Sequence, residues 1–312
     1  MLQIDTLPVE LLQSIFLFAT DNHQSKSSYV GFPARLEHLT PALTLTYVCS
    51  RWRSISLAMG RLWSHVVVFF SDSTAQELLM LTWQLERAGS CPLHVTVDTS
   101  GRFDRGGRSR SWEFIQHHLP RSQTLFFPNL EMTLHDFIFP LPGQFPRLKR
   151  ITVRLASRHT LGLKASLFAS ATSVPSLESL DLRNPHAAMF NTIPLPQLNS
   201  IRFSSLGTLD LHSIYDLLRK CSALTHLFFP SPRGRYEVPS PFSPIILPQL
   251  SSLTVNDCKL DEEESQSTLR DLVTILAARP GLQVLVPAEA VSQWEMQLID
   301  IPDHLRNRIL VL

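Results

Sequence analysis

The sequence predicts an α+β chain, in which a helical N-terminal segment is followed by an α/β solenoid with a parallel sheet. Helix-like apolar patterns occur around residues 8–19 and 41–58, and a β-favouring run follows over residues 66–70. A phrase that reads apolar-Pro-x-Leu-x-x-apolar-x-apolar in its clearest copies then returns along residues 145–285. We therefore expect one domain at residues 1–64 and a second at residues 65–312.

The first predicted helix is apolar on too many sides for an ordinary surface helix. Pro8 suits the first helical turn, where its missing N–H has no partner to lose, and Glu10 places a negative charge where the helix dipole favours it. In residues 11–19 only Gln13 and Ser14 are polar. A surface helix normally has one apolar stripe, so we expect one face to pack on its own domain and another on a partner. The stretch is shorter than the ~20 residues of a membrane span.

A second helical segment is predicted from about Pro41 to Ala58. Its apolar residues follow an approximate three-and-four spacing, and Arg51 and Arg53 flank Trp52 on the expected solvent side. A glycine-containing turn then precedes the β-favouring run. The segment therefore reads as an ordinary amphipathic helix.

Three short motifs follow one another in residues 4–64. They read Leu7-Pro8-x-Glu10-Leu11-Leu12-x-x-Ile15-Phe16, then Val48-Cys49-x-x-Trp52, then Leu62-Trp63. This combination resembles an F-box, the three-helix module of substrate receptors in cullin-RING ubiquitin ligases. The continuation over residues 83–93 also resembles F-box proteins that are abundant in mushroom-forming fungi. Residues 21–40 depart from the compact module as a longer, polar, Ser-rich loop, an insertion that costs little in loop entropy.

The resemblance implies that the N-terminal segment binds a Skp-type adaptor and, through it, a cullin. The residues that it implies in adaptor binding are the motif residues of the two helical segments: Leu7, Pro8, Leu11, Leu12, Ile15, Phe16, Val48, Cys49 and Trp52. An apolar helical stripe is also what a domain core requires. For each of these side chains, the core and the interface interpretations both stay open.

The repeated phrase has the period of a solenoid. Its anchor leucines are separated by 29, 21, 26, 26 and 32 residues, and they are Leu148, Leu177, Leu198, Leu224, Leu250 and Leu282. Positions +3 and +5 after each anchor are apolar while +4 and +6 are mostly polar, which predicts a strand with one buried face. The copy that starts at Leu250 matches the leucine-rich-repeat pattern through Cys258, and the other copies lack this Asn or Cys. We interpret the region as a degenerate leucine-rich-repeat-like domain, with helices over residues 211–218 and 269–276.

Stacked strands of this kind would present their polar positions on one concave surface. Three arginines and one aromatic residue stand out there, because these residue types dominate interface hot spots. The candidate target-binding residues are Arg154, Arg183, Arg202 and Phe228. A solvated strand face without any ligand explains the same pattern equally well.

Composition argues against several classes of protein. The 28 basic and 27 acidic residues give no net charge that would favour nucleic acid or an anionic membrane. The four cysteines are far apart, so we expect neither a metal site nor a disulfide framework. No nucleophile elbow, Gly-rich phosphate loop or zinc-protease motif occurs. We expect a cytoplasmic or nuclear protein with reduced thiols, without cofactors or catalytic residues, and we interpret the Arg- and Gly-rich residues 101–110 as a surface loop.

The expected function is non-catalytic. The chain would be the substrate-recognition subunit of an SCF-type cullin-RING E3 ubiquitin ligase, with the F-box on the adaptor and the repeat face on a target protein. One alternative is an F-box scaffold or regulatory protein that has no degradation target. Another is an enzyme whose site the sequence does not reveal.

Overall fold

The computed structural model describes residues 6–26, 40–70, 74–99, 109–131, 138–156, 166–205, 211–230, 247, 249–256, 283–286 and 309–311. The protein combines α-helices with parallel β-strands, which confirms the predicted α+β class. It divides into two compact units, one formed by residues 1–129 with 145–148 and the other by residues 130–144 and 149–312. The first unit thus holds the helical N-terminal segment together with residues 65–129. The predicted helix over residues 269–276, the loop at 101–108 and Cys258 lie outside the described residues.

Helices dominate the beginning of the first unit. Its elements in order are α1 (Val9–Lys26), α2 (Thr40–Val48), α3 (Ser50–Ala58), a 3₁₀ turn (Gly60–Trp63), β1 (His65–Phe69), α4 (Ala75–Ala88), β2 (Leu93–Asp98), α5 (Arg110–Gln116) and β3 (Ser122–Leu130). The strands β1 and β2 are parallel neighbours, as are β2 and β3. Residues 21–26 belong to α1, so the loop predicted from residue 21 begins later than expected.

Strands dominate the second unit. They are β4 (Arg150–Leu155), β5 (Ser179–Arg183), β6 (Ser200–Ser205), β7 (His226–Pro230), β8 (Ser252–Asn256), β9 (Gln283–Val286) and β10 (Ile309–Val311), with the helix α6 (Leu211–Arg219) between β6 and β7. Each of these strands pairs in parallel with the next one in the sequence. The strands predicted from the repeated phrase and the helix predicted over residues 211–218 are therefore present.

The predicted single helix over residues 41–58 is two helices that meet at Cys49. This residue has an extended backbone, with φ −156° and ψ 171°, and caps α3 by accepting a hydrogen bond on its Sγ atom from the Trp52 N–H at 3.4 Å. Cysteine is not a preferred capping residue, so the apolar spacing alone could not reveal the break. The N-terminal segment therefore contains three helices, α1, α2 and α3.

The 3₁₀ turn ties the helical segment to α4. An added Cβ on Gly60 would lie 2.8 Å from the Ala88 carbonyl oxygen and 2.9 Å from the Cys91 Sγ, so only glycine fits without a shift. Gln84 is buried and donates through Nε2 to the Trp63 carbonyl at 3.2 Å. Residues 83–93 therefore complete the packing of the helical segment, which explains why the first compact unit does not end at residue 64.

The periodic prolines mark one recurring turn. In five copies the anchor leucine donates its N–H to the carbonyl three residues earlier, at 3.2–3.3 Å. The acceptor residues are all buried: Phe145, Val174, Leu195, Cys221 and Leu247. Proline follows the acceptor in four of the five, where its fixed φ suits the second position of a turn. Each turn thus places a leucine in the core just before a strand.

A second backbone feature recurs where neighbouring repeats meet. The residue after an anchor offers its carbonyl to two consecutive N–H groups of the next repeat, at 2.8–3.1 Å. These double acceptors, here called rungs, are Lys149, Glu178, Asn199 and Thr225. The anchor leucines 148, 177, 198, 224 and 250 lie beside them and are at most 2% exposed. The period of the sequence is therefore matched by a period in the hydrogen bonds.

The apolar strand positions form the core of the second unit. Ile151, Leu180, Ile201, Leu227 and Leu253 are register partners on successive strands, and all are fully buried. Cys221 joins this core through the turn that precedes its repeat. Burial raises the pKa of its thiol to about 12, against the opposing effect of Lys220, so the thiol stays neutral and donates to the Leu217 carbonyl at 3.2 Å.

Asn184 holds three repeats together at the end of β5. Its Nδ2 donates to the Leu155 carbonyl at 2.9 Å, its main-chain N–H donates to the Ser205 carbonyl at 3.1 Å, and its φ is 55°. Asparagine tolerates this left-handed conformation better than most residues. At the position of Cys258, eight residues after its anchor, this copy has Pro185, and Asn184 lies one residue earlier, seven after its anchor.

We expect Asn184→Ala to lower the free energy of unfolding by about 1–3 kcal/mol, since it removes a buried hydrogen bond and leaves the Leu155 carbonyl without this donor. Asn184→Gly loses the same bond but keeps the left-handed backbone at no steric cost. Urea unfolding followed by circular dichroism should therefore rank the wild type above glycine and glycine above alanine. Equal stability of all three proteins would contradict this role.

None of the helices in the described part of the chain combines the length and the apolar character that crossing a membrane requires.

Candidate interaction surfaces

Helix α1 has two apolar sides, only one of which is buried. Leu12 and Phe16 are completely buried, and Thr20, one turn further on, is 5% exposed and bonds back to the Phe16 carbonyl. Leu11 and Ile15 are 51% and 46% exposed, although they are direct neighbours of the buried pair in the sequence. The expectation that one face packs on its own domain is confirmed, and a second apolar face is left in solvent.

The buried side of α1 is held against α3. The Phe16 and Trp52 rings lie 4.7 Å apart between centroids, a distance typical of aromatic pairs in cores. At the start of α1 the Arg51 guanidinium donates through Nη2 to the Leu7 carbonyl at 2.5 Å. Arg51 therefore does not simply face solvent, as its position beside Trp52 suggested. These two contacts fix the orientation of α1 and, with it, the exposure of its outer side.

The exposed apolar residues extend beyond the predicted set. Leu11, Ile15 and Phe18 are spaced four and three residues apart, so they share one side of the helix. Phe18 is 71% exposed, and Tyr47 at the end of α2 is 74% exposed. We use the term apolar helix surface for the exposed residues Val9, Leu11, Ile15, Phe18, Tyr47 and Val48.

The nine residues implied in adaptor binding separate into three groups. Leu12 and Phe16 belong to the core, and we withdraw them from the candidate interface because they have no accessible surface. Leu7, Cys49 and Trp52 are half-buried. Pro8, Leu11, Ile15 and Val48 are exposed. Sequence reasoning missed Phe18, which the helical spacing from Leu11 and Ile15 could have identified, and also Val9 and Tyr47, for which no local signal exists.

The second candidate surface is the side of β4–β8 opposite the core. One row of register partners crosses it, in which Thr152, Asp181, Arg202, Phe228 and Thr254 lie side by side on successive strands. A second row pairs Arg154 with Arg183. All four predicted target-binding residues are therefore brought onto one side of the sheet. We call it the polar strand face, defined by Arg154, Asp181, Arg183, Arg202, Ser204 and Phe228.

The ends of the first row differ from the prediction. Thr152 and Thr254 occupy the +4 position of their copies, which the alternation predicts to be polar and in solvent, but they are only 9% and 3% exposed. The accessible part of the row is therefore limited to its middle, Asp181, Arg202 and Phe228. Strand alternation gives the direction of a side chain but does not show what lies over it.

The acidic side chains near the middle of this face already have basic partners. Glu178 pairs with Lys149 at 3.0 Å, and Asp181 pairs with Arg154 at 3.6 Å while accepting a hydrogen bond from Ser204 at 3.2 Å. Arg183 and Arg202 are exposed, and no acidic partner for either occurs among the described residues. The Arg202 guanidinium instead lies 5.4 Å from the centre of the Phe228 ring on the next strand. This cation–π contact holds the charge in place at the surface.

Within the described residues, no cluster of three His, Cys, Asp or Glu side chains has a geometry that could hold a metal ion. His65 and His94 form a stacked pair, with ring centroids 4.5 Å apart. Their nearly parallel planes, 12° apart, describe a packing contact between neighbouring strands. The His94 Nδ1 and the Thr124 hydroxyl also form a hydrogen bond at 2.9 Å, and Thr124 is the register partner of His94 on β3.

A scan against known protein families and a search of curated proteins both found no match for this chain.

Proposed function

We propose that this chain is the substrate-recognition subunit of an SCF-type cullin-RING ubiquitin ligase. The observation that carries the proposal is the two-sided helix α1. Its inner side, Leu12 and Phe16, is buried, and its outer side, Leu11, Ile15 and Phe18, is about half exposed or more. Large apolar side chains gathered on one exposed helix face are typical of a protein–protein interface. In an F-box this interface would receive a Skp-type adaptor.

The second unit supports the other half of the proposal. Parallel strands that follow the sequence order, repeated proline turns and carbonyl rungs are what a solenoid of leucine-rich-repeat type would contain. Such stacks bind partners along their strands. The polar strand face, with Arg183, Arg202 and Phe228 accessible, is the surface that we assign to the target protein.

The chemical contribution of the chain would be proximity. The apolar helix surface would attach it to the adaptor and cullin, and the polar strand face would hold the target. A target lysine held in this way is presented to the charged conjugating enzyme at high effective concentration, although this chain performs no bond-breaking step. Ubiquitin transfer would be carried out by the other subunits.

We expect Ile15→Asp to weaken binding of a Skp-type adaptor by about thirtyfold or more, because a charge would replace an apolar side chain at the centre of the proposed interface. Leu11→Asp should act in the same direction. Both side chains are exposed, so neither change should lower the unfolding temperature appreciably. The measurement is titration of purified full-length protein with recombinant adaptor by isothermal calorimetry.

The matched control is Leu79→Asp, which introduces the same charge at a 70% exposed leucine of α4 in the same unit. This variant should bind the adaptor like the wild type. Retained binding by the Ile15 and Leu11 variants would refute the proposal. Adaptor binding without any cullin or ubiquitylated client in a pull-down would favour a scaffold or regulatory protein instead.

A further inference from the structure

We infer that the polar strand face binds an extended, carboxylate-rich peptide segment of the target, with Arg183 and Arg202 as its two anchoring cations. The inference rests on the proposed function, because it takes this face as the target surface. It goes further by assigning the chemistry of the segment that is recognised.

The first support is the charge balance of the face. Five basic side chains lie at this part of the second unit, and two of them, Lys149 and Arg154, are compensated by Glu178 and Asp181. The remaining three, Arg150, Arg183 and Arg202, are exposed, and the described residues offer them no acidic partner. Uncompensated arginines in accessible positions complement an anionic ligand.

The second support is the spacing of the two anchors. Asp181 is the register partner of Arg202, and Arg183 lies two residues further along the same strand as Asp181. The register shifts by one residue between Leu182 and Arg183, so Arg183 pairs with Ser205. Counted along β5, two residues along and one strand across place the Arg183 and Arg202 Cα atoms roughly 8 Å apart. Side chains on one side of an extended peptide recur about every 7 Å. Two carboxylates on one side of such a peptide, at alternate positions or one such repeat further apart, can therefore each meet one of the two arginines.

The third support is the direction of the Arg202 side chain. Its guanidinium lies 5.4 Å from the Phe228 ring centre, and Phe228 belongs to β7, on the side of β6 away from Arg183. The two cations are thus held apart and favour two separate anionic groups over a single phosphate. Arginine also binds a carboxylate through two parallel N–H···O hydrogen bonds. A guanidinium that is already held in place loses less conformational entropy when it forms them.

Nucleic acid fits the same surface less well. The whole chain has a formal net charge of only +1, whereas affinity for nucleic acid comes mainly from many phosphate contacts. Asp181 and Glu178 also lie among the arginines and would repel a continuous phosphate backbone. A short segment with separate carboxylates avoids this repulsion.

The test uses the full-length protein and a fluorescein-labelled peptide with the repeat Glu-Thr-Glu-Thr-Glu, followed by fluorescence anisotropy at low salt. We expect Arg183→Gln and Arg202→Gln each to raise the Kd about fivefold, the upper range for an exposed ion pair. Arg219→Gln is the matched control, because it removes one charge from an exposed arginine of α6 in the same unit. Its Kd should stay within about twofold of the wild-type value.

Several results would overturn the inference. One is that a Gln-Thr-Gln-Thr-Gln peptide binds as well as the glutamate peptide, and another is that the Arg183 and Arg202 variants keep the wild-type affinity. The inference would also be wrong if a peptide with one phosphoserine and no glutamate, or an oligouridine, bound more tightly than the glutamate peptide. The Ile15→Asp protein separates this test from that of the proposed function. If it loses the adaptor yet binds the glutamate peptide, both proposals stand, and if it retains the adaptor, only the proposed function fails.

Discussion

Replacing Trp63 with alanine should lower the free energy of unfolding of the first unit by about 3–5 kcal/mol, the usual cost of removing a large buried aromatic side chain. Trp63 is completely buried, its Nε1 donates to the Ser56 carbonyl at 2.9 Å, and its ring meets that of Trp83 edge-on with centroids 4.8 Å apart. Its removal opens a cavity between the 3₁₀ turn and α4 and leaves the Ser56 carbonyl without this donor. Urea unfolding monitored by circular dichroism gives the measurement.

Trp63→Phe is the informative control for this prediction. Phenylalanine keeps an aromatic ring against Trp83 but cannot donate a hydrogen bond to Ser56. We expect this variant to lie between the wild type and alanine, because it restores part of the buried area and none of the polar contact. An alanine variant with a loss below about 1 kcal/mol would show that Trp63 does not hold the 3₁₀ turn to α4.

Replacing Phe203 with alanine should cost a similar amount, about 3–5 kcal/mol, in the second unit. The Phe203 ring is 1% exposed and packs edge-on against Phe190 and Phe229, with centroids 6.5 and 5.9 Å away. Phe229 is in the next repeat, so the cavity would open at a junction between repeats. The variant should therefore unfold at a lower urea concentration than the wild type, as measured by the circular dichroism of the full-length protein.

The neighbouring position supplies the control for Phe203. Arg202 lies on the same strand with its side chain in solvent, and Arg202→Gln should change stability by no more than about 0.5 kcal/mol. This contrast between adjacent residues tests the alternation of the strand directly. Equal losses at both positions would contradict the assignment of inner and outer faces.

The repeats were the part of the fold most accessible from the sequence. A leucine placed by a proline turn, followed by alternating apolar residues, is a local pattern, and the buried row from Ile151 to Leu253 matches it copy by copy. Asn184 escaped detection because the turn after β5 is one residue shorter than the repeat pattern assumes. A main-chain position with positive φ leaves little trace in a single sequence.

The inner and outer sides of α1 could not be assigned in the same way. Leu11 and Leu12 are the same residue type, and Ile15 and Phe16 are both large and apolar, but one member of each pair is buried and the other exposed. The choice is made by partners distant in the sequence, such as Trp52 against Phe16. The contact between Arg51 and the Leu7 carbonyl depends on a similar long-range approach. The apolar pattern of the sequence predicted a helix with two apolar sides, but only the packing shows which of the two is exposed to solvent.

The rungs between repeats place almost no demand on side-chain identity. Lys149, Glu178, Asn199 and Thr225 occupy equivalent positions although their side chains have nothing in common, because the acceptor in each case is the main-chain carbonyl. Substitutions at these sites, and at the exposed strand positions beside them, can accumulate over evolutionary time without loosening the stack. A lineage can therefore exchange the chemistry of its exposed strand face many times while the buried leucines keep the backbone in register.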